Sequence, residues 1–196
     1  MGSAVFVLLY IVATFYYPGG SQVDKSSIGF SWINNYWCNL LNDTAINGEI
    51  NRAKPIAKAA MFVLCITQTF FWWLLPSYLQ LSVKWKFTIQ ISGAASMFIS
   101  FFLLTNFNHD MVTNLASFFG LIATTGTFIG LYQTKWQRLF VFGFFIIILV
   151  CLNNYVYYTK GFIIYLPVIQ KISFASFLIW VCSIDVALYK KQKNIK

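Results

Sequence analysis

The chain has 196 residues, of which 59% are hydrophobic, 20% aromatic and only 10% charged, with a formal net charge of +9 and a mean hydropathy of +0.67. Soluble domains carry about 25% charged residues and bury a limited core, so this composition excludes a soluble globular protein, and its hydrophobicity excludes disorder. The basic excess is not a nucleic-acid footprint, because Lys and Arg sit between long apolar runs rather than on one folded face.

A helix needs about 20 apolar residues to cross a hydrocarbon core of about 30 Å. Taken in chain order, the first apolar run, Ala4–Tyr17, is short and suits only a thin or locally thinned bilayer. A signal peptide is the alternative. Against it, no basic segment precedes the run and no small-x-small cleavage site precedes Pro18-Gly19-Gly20. Phe6 stands where myristoylation of Gly2 would want Ser or Thr.

Residues 18–56 form the one sizeable extramembrane segment. Pro18-Gly19-Gly20 breaks the first helix, and turn-forming residues follow. From Phe30 to Asn42, Phe30, Ile33, Trp37, Leu40 and Leu41 recur at helical spacing. Ser31, Asn34, Asn35, Cys38, Asn39 and Asn42 occupy the opposite face. That pattern predicts a short amphipathic helix at headgroup level, with asparagines available for hydrogen bonding or simply wetted. Asn47-Gly48 predicts a turn, and Pro55 suits the first turn of the next helix. Arg52 and Lys54 are placed to pair with Glu49 or Asp43, or to meet lipid phosphates. Asn42-Asp43-Thr44 is a glycosylation sequon, relevant in a eukaryotic membrane.

Five further runs are long enough to cross: Ala59–Leu81, Phe87–Phe107, Met111–Tyr132, Leu139–Tyr158 and Pro167–Tyr189. Continuous runs rule out the alternating strands of a membrane barrel. The expected fold class is all-α: a single polytopic membrane domain over 1–196, with six transmembrane helices and a short amphipathic helix in its first external loop. Small residues at 92–96 and 126–130 permit close packing of the third and fourth spans. Gln68, Thr124 and Thr125 are expected to bond between helices. The cysteines, Cys38, Cys65, Cys151 and Cys182, show no pairing pattern and read as packing residues.

Six spans put both termini on one side. With that side cytoplasmic, its segments hold Lys84, Lys86, Lys135, Arg138, Lys190, Lys191, Lys193 and Lys196. The opposite side holds Lys25, Arg52, Lys54, Lys58, Lys160 and Lys171, so the positive-inside rule favours cytoplasmic termini. The tail Lys190–Lys196 reads as a stop-transfer anchor, with lipid-headgroup binding the less favoured alternative.

On the external side the scarce polar groups converge. The third connection carries Asn106, Asn108, His109 and Asp110, and the fifth span carries Asn153-Asn154 about one turn inside its outer end. Polar residues inside a span must find partners and often line a cavity. Candidate ligand-binding residues are therefore Asn35, Asn39, Asn51, Arg52, Asn153 and Asn154. Candidate catalytic groups are His109, the sole histidine, with Asp110, Asp43 and Glu49. Adjacent residues on a loop are not expected to face each other, so His109 and Asp110 are not read as a dyad. One histidine is too few for zinc. An oxygen-rich calcium site remains open, but no metal is assigned. Paired haem histidines, a P-loop and a dinucleotide fingerprint are all missing, so no cofactor is expected. No ionisable residue lies near a bilayer midplane, which disfavours a charge-coupled transporter.

Six spans, a long first external loop, and the stretches Asn35–Asp43, Asn47–Arg52 and His109-Asp110 resemble the DRAM/FRAG/Sfk-type membrane proteins and six-span bacterial proteins similar to them. The resemblance implies membrane-lipid handling, remodelling or regulation, and supplies no catalytic residues. The leading expectation is a bundle that binds lipid headgroups or a partner protein through its outer polar cluster. A lipid-modifying enzyme using His109 with nearby carboxylates, and a structural subunit of a larger membrane complex, stand as alternatives. Membrane lipids are the expected partners, other membrane subunits the second, and nucleic acid is excluded.

Overall fold

A computed structural model describes residues 1–105 and 107–193. Among them the chain is all-helical: α1 (Gly2–Phe15), α2 (Lys54–Tyr78), α3 (Val83–Ser100), α4 (His109–Gln133), α5 (Gln137–Thr159) and α6 (Leu166–Lys193). Short 3-10 turns at Phe101–Leu104 and Ile163–Tyr165 prolong α3 and introduce α6. Five segments are long and apolar enough to cross a membrane: Lys54–Tyr78, Val83–Leu104, His109–Gln133, Gln137–Thr159 and Ile163–Lys191. The chain is a multi-pass helical membrane protein. Large apolar side chains such as Phe70, Phe98, Phe118, Phe144 and Ile179 are exposed along these helices, as lipid contact requires.

The sixth apolar helix is the exception. α1 has 14 residues, about 21 Å at 1.5 Å per residue, against a core of about 30 Å. It begins and ends two residues before the expected run. Its buried stripe is Ser3, Phe6, Tyr10, Ala13 and Thr14, while Val5, Leu8, Val12 and Phe15 are exposed. α2 starts at Lys54, five residues before its apolar run, because a helix continues through headgroup-level Lys54 and Lys58 without needing apolar side chains. Pro76, in its last turn, is accommodated inside the helix.

The chain divides into two compact units, Met1–Met61 with Phe145–Leu178, and Phe62–Phe144 with Ile179–Lys196. The divisions fall inside α2, α5 and α6, so no linker marks them in the sequence.

In the second unit, α3 and α4 pack together, and the small residues do so by admitting large ones. A methyl group on Gly126 would lie 2.5 Å from the Ile89 side chain, and one on Gly93 would lie 2.3 Å from Trp72. Ser96 Oγ donates to the Ala116 carbonyl (2.8 Å), and Trp180 Nε1 to that of Leu139 (2.8 Å). Gln68 departs from expectation. It is 1% exposed, yet neither amide atom has a hydrogen-bond partner among the described residues. The bond between α3 and α4 comes from Ser96.

In the first unit the long loop folds tightly without strands. It makes isolated antiparallel bridges, Gly19 to Ile28 and Thr44 to Ile50, the second closing the turn at Asn47-Gly48. Gly20 has φ +81°, and a side chain there would strike the backbone of Ile46 and Asn47. The helix expected over Phe30–Asn42 is reduced to a 3-10 segment, Trp37–Leu41.

Candidate functional site

The loop carries most of the asparagines that the sequence marked for binding, and their surroundings differ from a wetted stripe. Asn35 is fully buried. Its Oδ1 accepts from Ser31 N (2.8 Å) and its Nδ2 donates to Gly20 O (2.8 Å). Asn39 Oδ1 accepts from Tyr36 N (2.7 Å), capping the 3-10 segment. Asn51, 3% exposed, donates Nδ2 to the carbonyls of Asn39, Leu40 and Asn42 at 2.9–3.2 Å and accepts from Ala53 N (3.1 Å). These amides satisfy backbone groups that an irregular, compact loop cannot pair with itself. They are scaffold. The faces of the helical reading are not kept: Asn35 and Asn39 are buried together with Leu40, while Ile33 is exposed.

The candidate carboxylates and the histidine are divided between the two units. Asp43 is exposed and bonds the Lys54 ammonium, and that hydrogen bond and charge hold its carboxyl below the usual range. Glu49 and Arg52 are exposed. His109 and Asp110 form the exposed first turn of α4, behind the Asn108 cap, with Nδ1 and Oδ1 3.6 Å apart. At 3.6 Å the pair is too far apart for the hydrogen bond that would orient a general base. They belong to the second unit, Asp43 and Glu49 to the first. Among the described residues no three His, Cys, Asp or Glu side chains gather as a metal-binding set.

What the first unit does bring together lies beneath the loop, on α5 and α6. Gln170, Ser173, Phe174 and Phe177 form one stripe of α6 at three- and four-residue spacing. With Val150 and Asn153 of α5 they line a cavity of about 210 Å³. The Oδ1 of Asn153 is buried, with no hydrogen-bond partner among the described residues. The Gln170 carbonyl oxygen accepts from Trp37 N (3.3 Å), which leaves that amide its two N–H donors. Ser173 Oγ is committed to Ile169 O (2.8 Å). Asn154, by contrast, is exposed and donates back to Val150 O (3.0 Å).

An aromatic cluster joins the loop to this wall. Trp37 lies 5.0 Å from Tyr10 and 5.3 Å from Phe174 between ring centroids, and Phe6 lies 5.5 Å from Phe174. Each such pair adds about 0.5–1.5 kcal/mol beyond area burial. Lys171 reaches from α6 to the carbonyls of Asn35 and Pro167, over the Phe30 ring. Burial raises the Tyr36 phenol above its ordinary pKa, with Cys38 and Tyr157 acting in the same direction. Sequence reasoning singled out Asn153 as a polar group inside a span but missed Gln170 and Ser173, whose i, i+3 spacing on a helix was the available signal.

The site is thus a neutral slot with one unsatisfied acceptor, nearby amide donors and apolar walls. It suits a group that both donates and accepts hydrogen bonds and carries hydrocarbon. Comparisons with protein families, with curated proteins and with solved structures return no match.

Proposed function

We propose that this protein binds a membrane lipid, taking a hydroxyl- or amide-bearing part of it into the slot between α5 and α6. The observation that carries the reading is the buried, unsatisfied Oδ1 of Asn153, a residue that lines a cavity of about 210 Å³. An unpaired buried acceptor costs about 1–3 kcal/mol, and a ligand hydroxyl or amide N–H removes that cost. The volume exceeds the roughly 150 Å³ cavity that accepts benzene in a well-studied case, so it holds a segment of a lipid rather than a whole molecule. The reading accords with the lipid handling implied by the DRAM/FRAG/Sfk-type resemblance. Positive-inside asymmetry supports an orientation with cytoplasmic termini, which puts this slot in the opposite leaflet.

The test is Asn153→Leu, which removes the acceptor and fills the slot. Lipid retained through detergent purification, measured by native mass spectrometry, should fall severalfold, while thermal stability measured after delipidation should rise. An unchanged lipid complement in the variant overturns the proposal.

A further inference from the structure

We infer that a second, chemically different site lies in the other unit: a basic groove that holds the phosphate of an anionic lipid headgroup. The groove has a volume of about 560 Å³ and is lined by the α4–α5 turn, the first turn of α5 and the end of α6. Lys135, Arg138, Lys190 and Lys191 all line it, and no acidic side chain does.

Three features converge on an anion. The first is charge, from side chains that arrive from three helix ends and are exposed, so the ligand replaces water rather than an existing ion pair. The second is backbone. α5 has 23 residues and no acid in its first turn. Its opening residues Gln137, Arg138 and Leu139 line the groove, so the unpaired N–H groups and positive dipole end of that helix lie at the same place. The third is Trp136, half-buried with Lys191 Nζ 5.7 Å from its ring centroid. An indole at the junction of three apolar spans sits at headgroup depth, which selects a lipid phosphate over a soluble one.

The turn itself supports the same reading. α4 ends in a Schellman arrangement, with Trp136 N donating to Leu131 O (2.9 Å) and Lys135 N to Tyr132 O (3.0 Å). The left-handed position of that motif usually holds glycine. Here it holds Lys135, at φ 59°. A lysine in a strained backbone position that glycine would relieve keeps a positive charge in the groove.

The experiment uses the full chain in detergent, titrated with phosphatidylglycerol or phosphatidylcholine and read by native mass spectrometry. Phosphatidylglycerol should bind preferentially, and each basic side chain removed should weaken it about fivefold, the fold-change equivalent to about 1 kcal/mol per charge near a membrane surface. Lys135→Gly is the decisive variant. It should raise the melting temperature by relieving the backbone, yet still lose about fivefold in phosphatidylglycerol affinity. Lys190→Gln with Lys191→Gln should lose more and leave the turn intact. Inorganic phosphate, added as competitor, should not displace the lipid. Equal binding of the two lipids, full affinity in these variants, or displacement by inorganic phosphate would each overturn the inference. Asn153→Leu should leave the phosphatidylglycerol preference intact, so this test and that of the α5–α6 slot fail separately.

Discussion

Asn51 is the residue whose removal tests the loop architecture most directly. Its amide serves three carbonyls and one N–H in a site that is 3% exposed. Asn51→Ala leaves these four groups without their side-chain partner. At a net ~1 kcal/mol per hydrogen bond, with incomplete additivity, the expected loss is about 2–4 kcal/mol. That is a large share of a stability of about 5–15 kcal/mol. Asn51→Asp is nearly isosteric but replaces the donating NH2 with a carboxylate oxygen facing three carbonyls, so at neutral pH it should be worse than alanine. Its pH dependence has a definite sign. Burial against carbonyls raises the folded-state pKa, so the penalty is small below the unfolded value near 3.9 and grows as pH rises through the folded one. Denaturant unfolding in mild detergent, with proteolysis of the loop as a local readout, measures both variants. Stability of Asn51→Ala within about 0.5 kcal/mol of the parent, or an Asp variant milder than Ala at pH 7, would refute the reasoning, since both require the amide to hold the loop.

The Asp43–Lys54 pair makes an acid-side prediction. Because Lys54 lowers the Asp43 pKa, its contribution is present above the unfolded value near 3.9 and is lost as pH falls through the lower folded value. Asp43→Asn should flatten that acid-side slope of melting temperature, lying slightly below the parent at pH 7 and converging with it in acid, and an unaltered slope would count against the pair. In the other unit, Gly93→Ala places a methyl group 2.3 Å from Trp72 Cγ and should cost about 1–3 kcal/mol by overpacking. Gly161→Ala, with open space around the added carbon, is the control, and equal melting temperatures for the two would refute the packing argument.

The crossing helices were legible because bilayer thickness imposes a run length that composition displays directly. Helix ends were not, because Lys54 and Lys58 extend α2 at a depth where polar side chains are tolerated. The Asn stripe was visible and its faces were misread. Helical periodicity from Phe30 to Asn42 assumes a regular backbone, whereas the loop is irregular and its unpaired N–H and carbonyl groups draw the asparagines inward. Asn153 stood out as polar within a span, but its partners in the slot lie 17 to 24 positions away on α6 and converge only through packing. Lys135, Arg138, Lys190 and Lys191 entered the sequence reading as topology signals. Their convergence on one groove is a tertiary fact.

The division of labour in the first unit follows from satisfaction of hydrogen bonds. Asn35, Asn39 and Asn51 are spent on the loop's own backbone, so the loop has little left to offer a ligand from them. What it offers instead is position. Through Trp37 N it engages the oxygen of Gln170, which orients that amide and leaves its two N–H groups to donate. Asn153, one helix away, keeps an acceptor unpaired. A donor and an acceptor fixed on facing helices discriminate better than either alone, because a ligand lacking one function leaves a buried group unmatched at about 1–3 kcal/mol. On the proposed lipid-binding reading, the specificity of the slot therefore depends on a loop that need not touch the ligand.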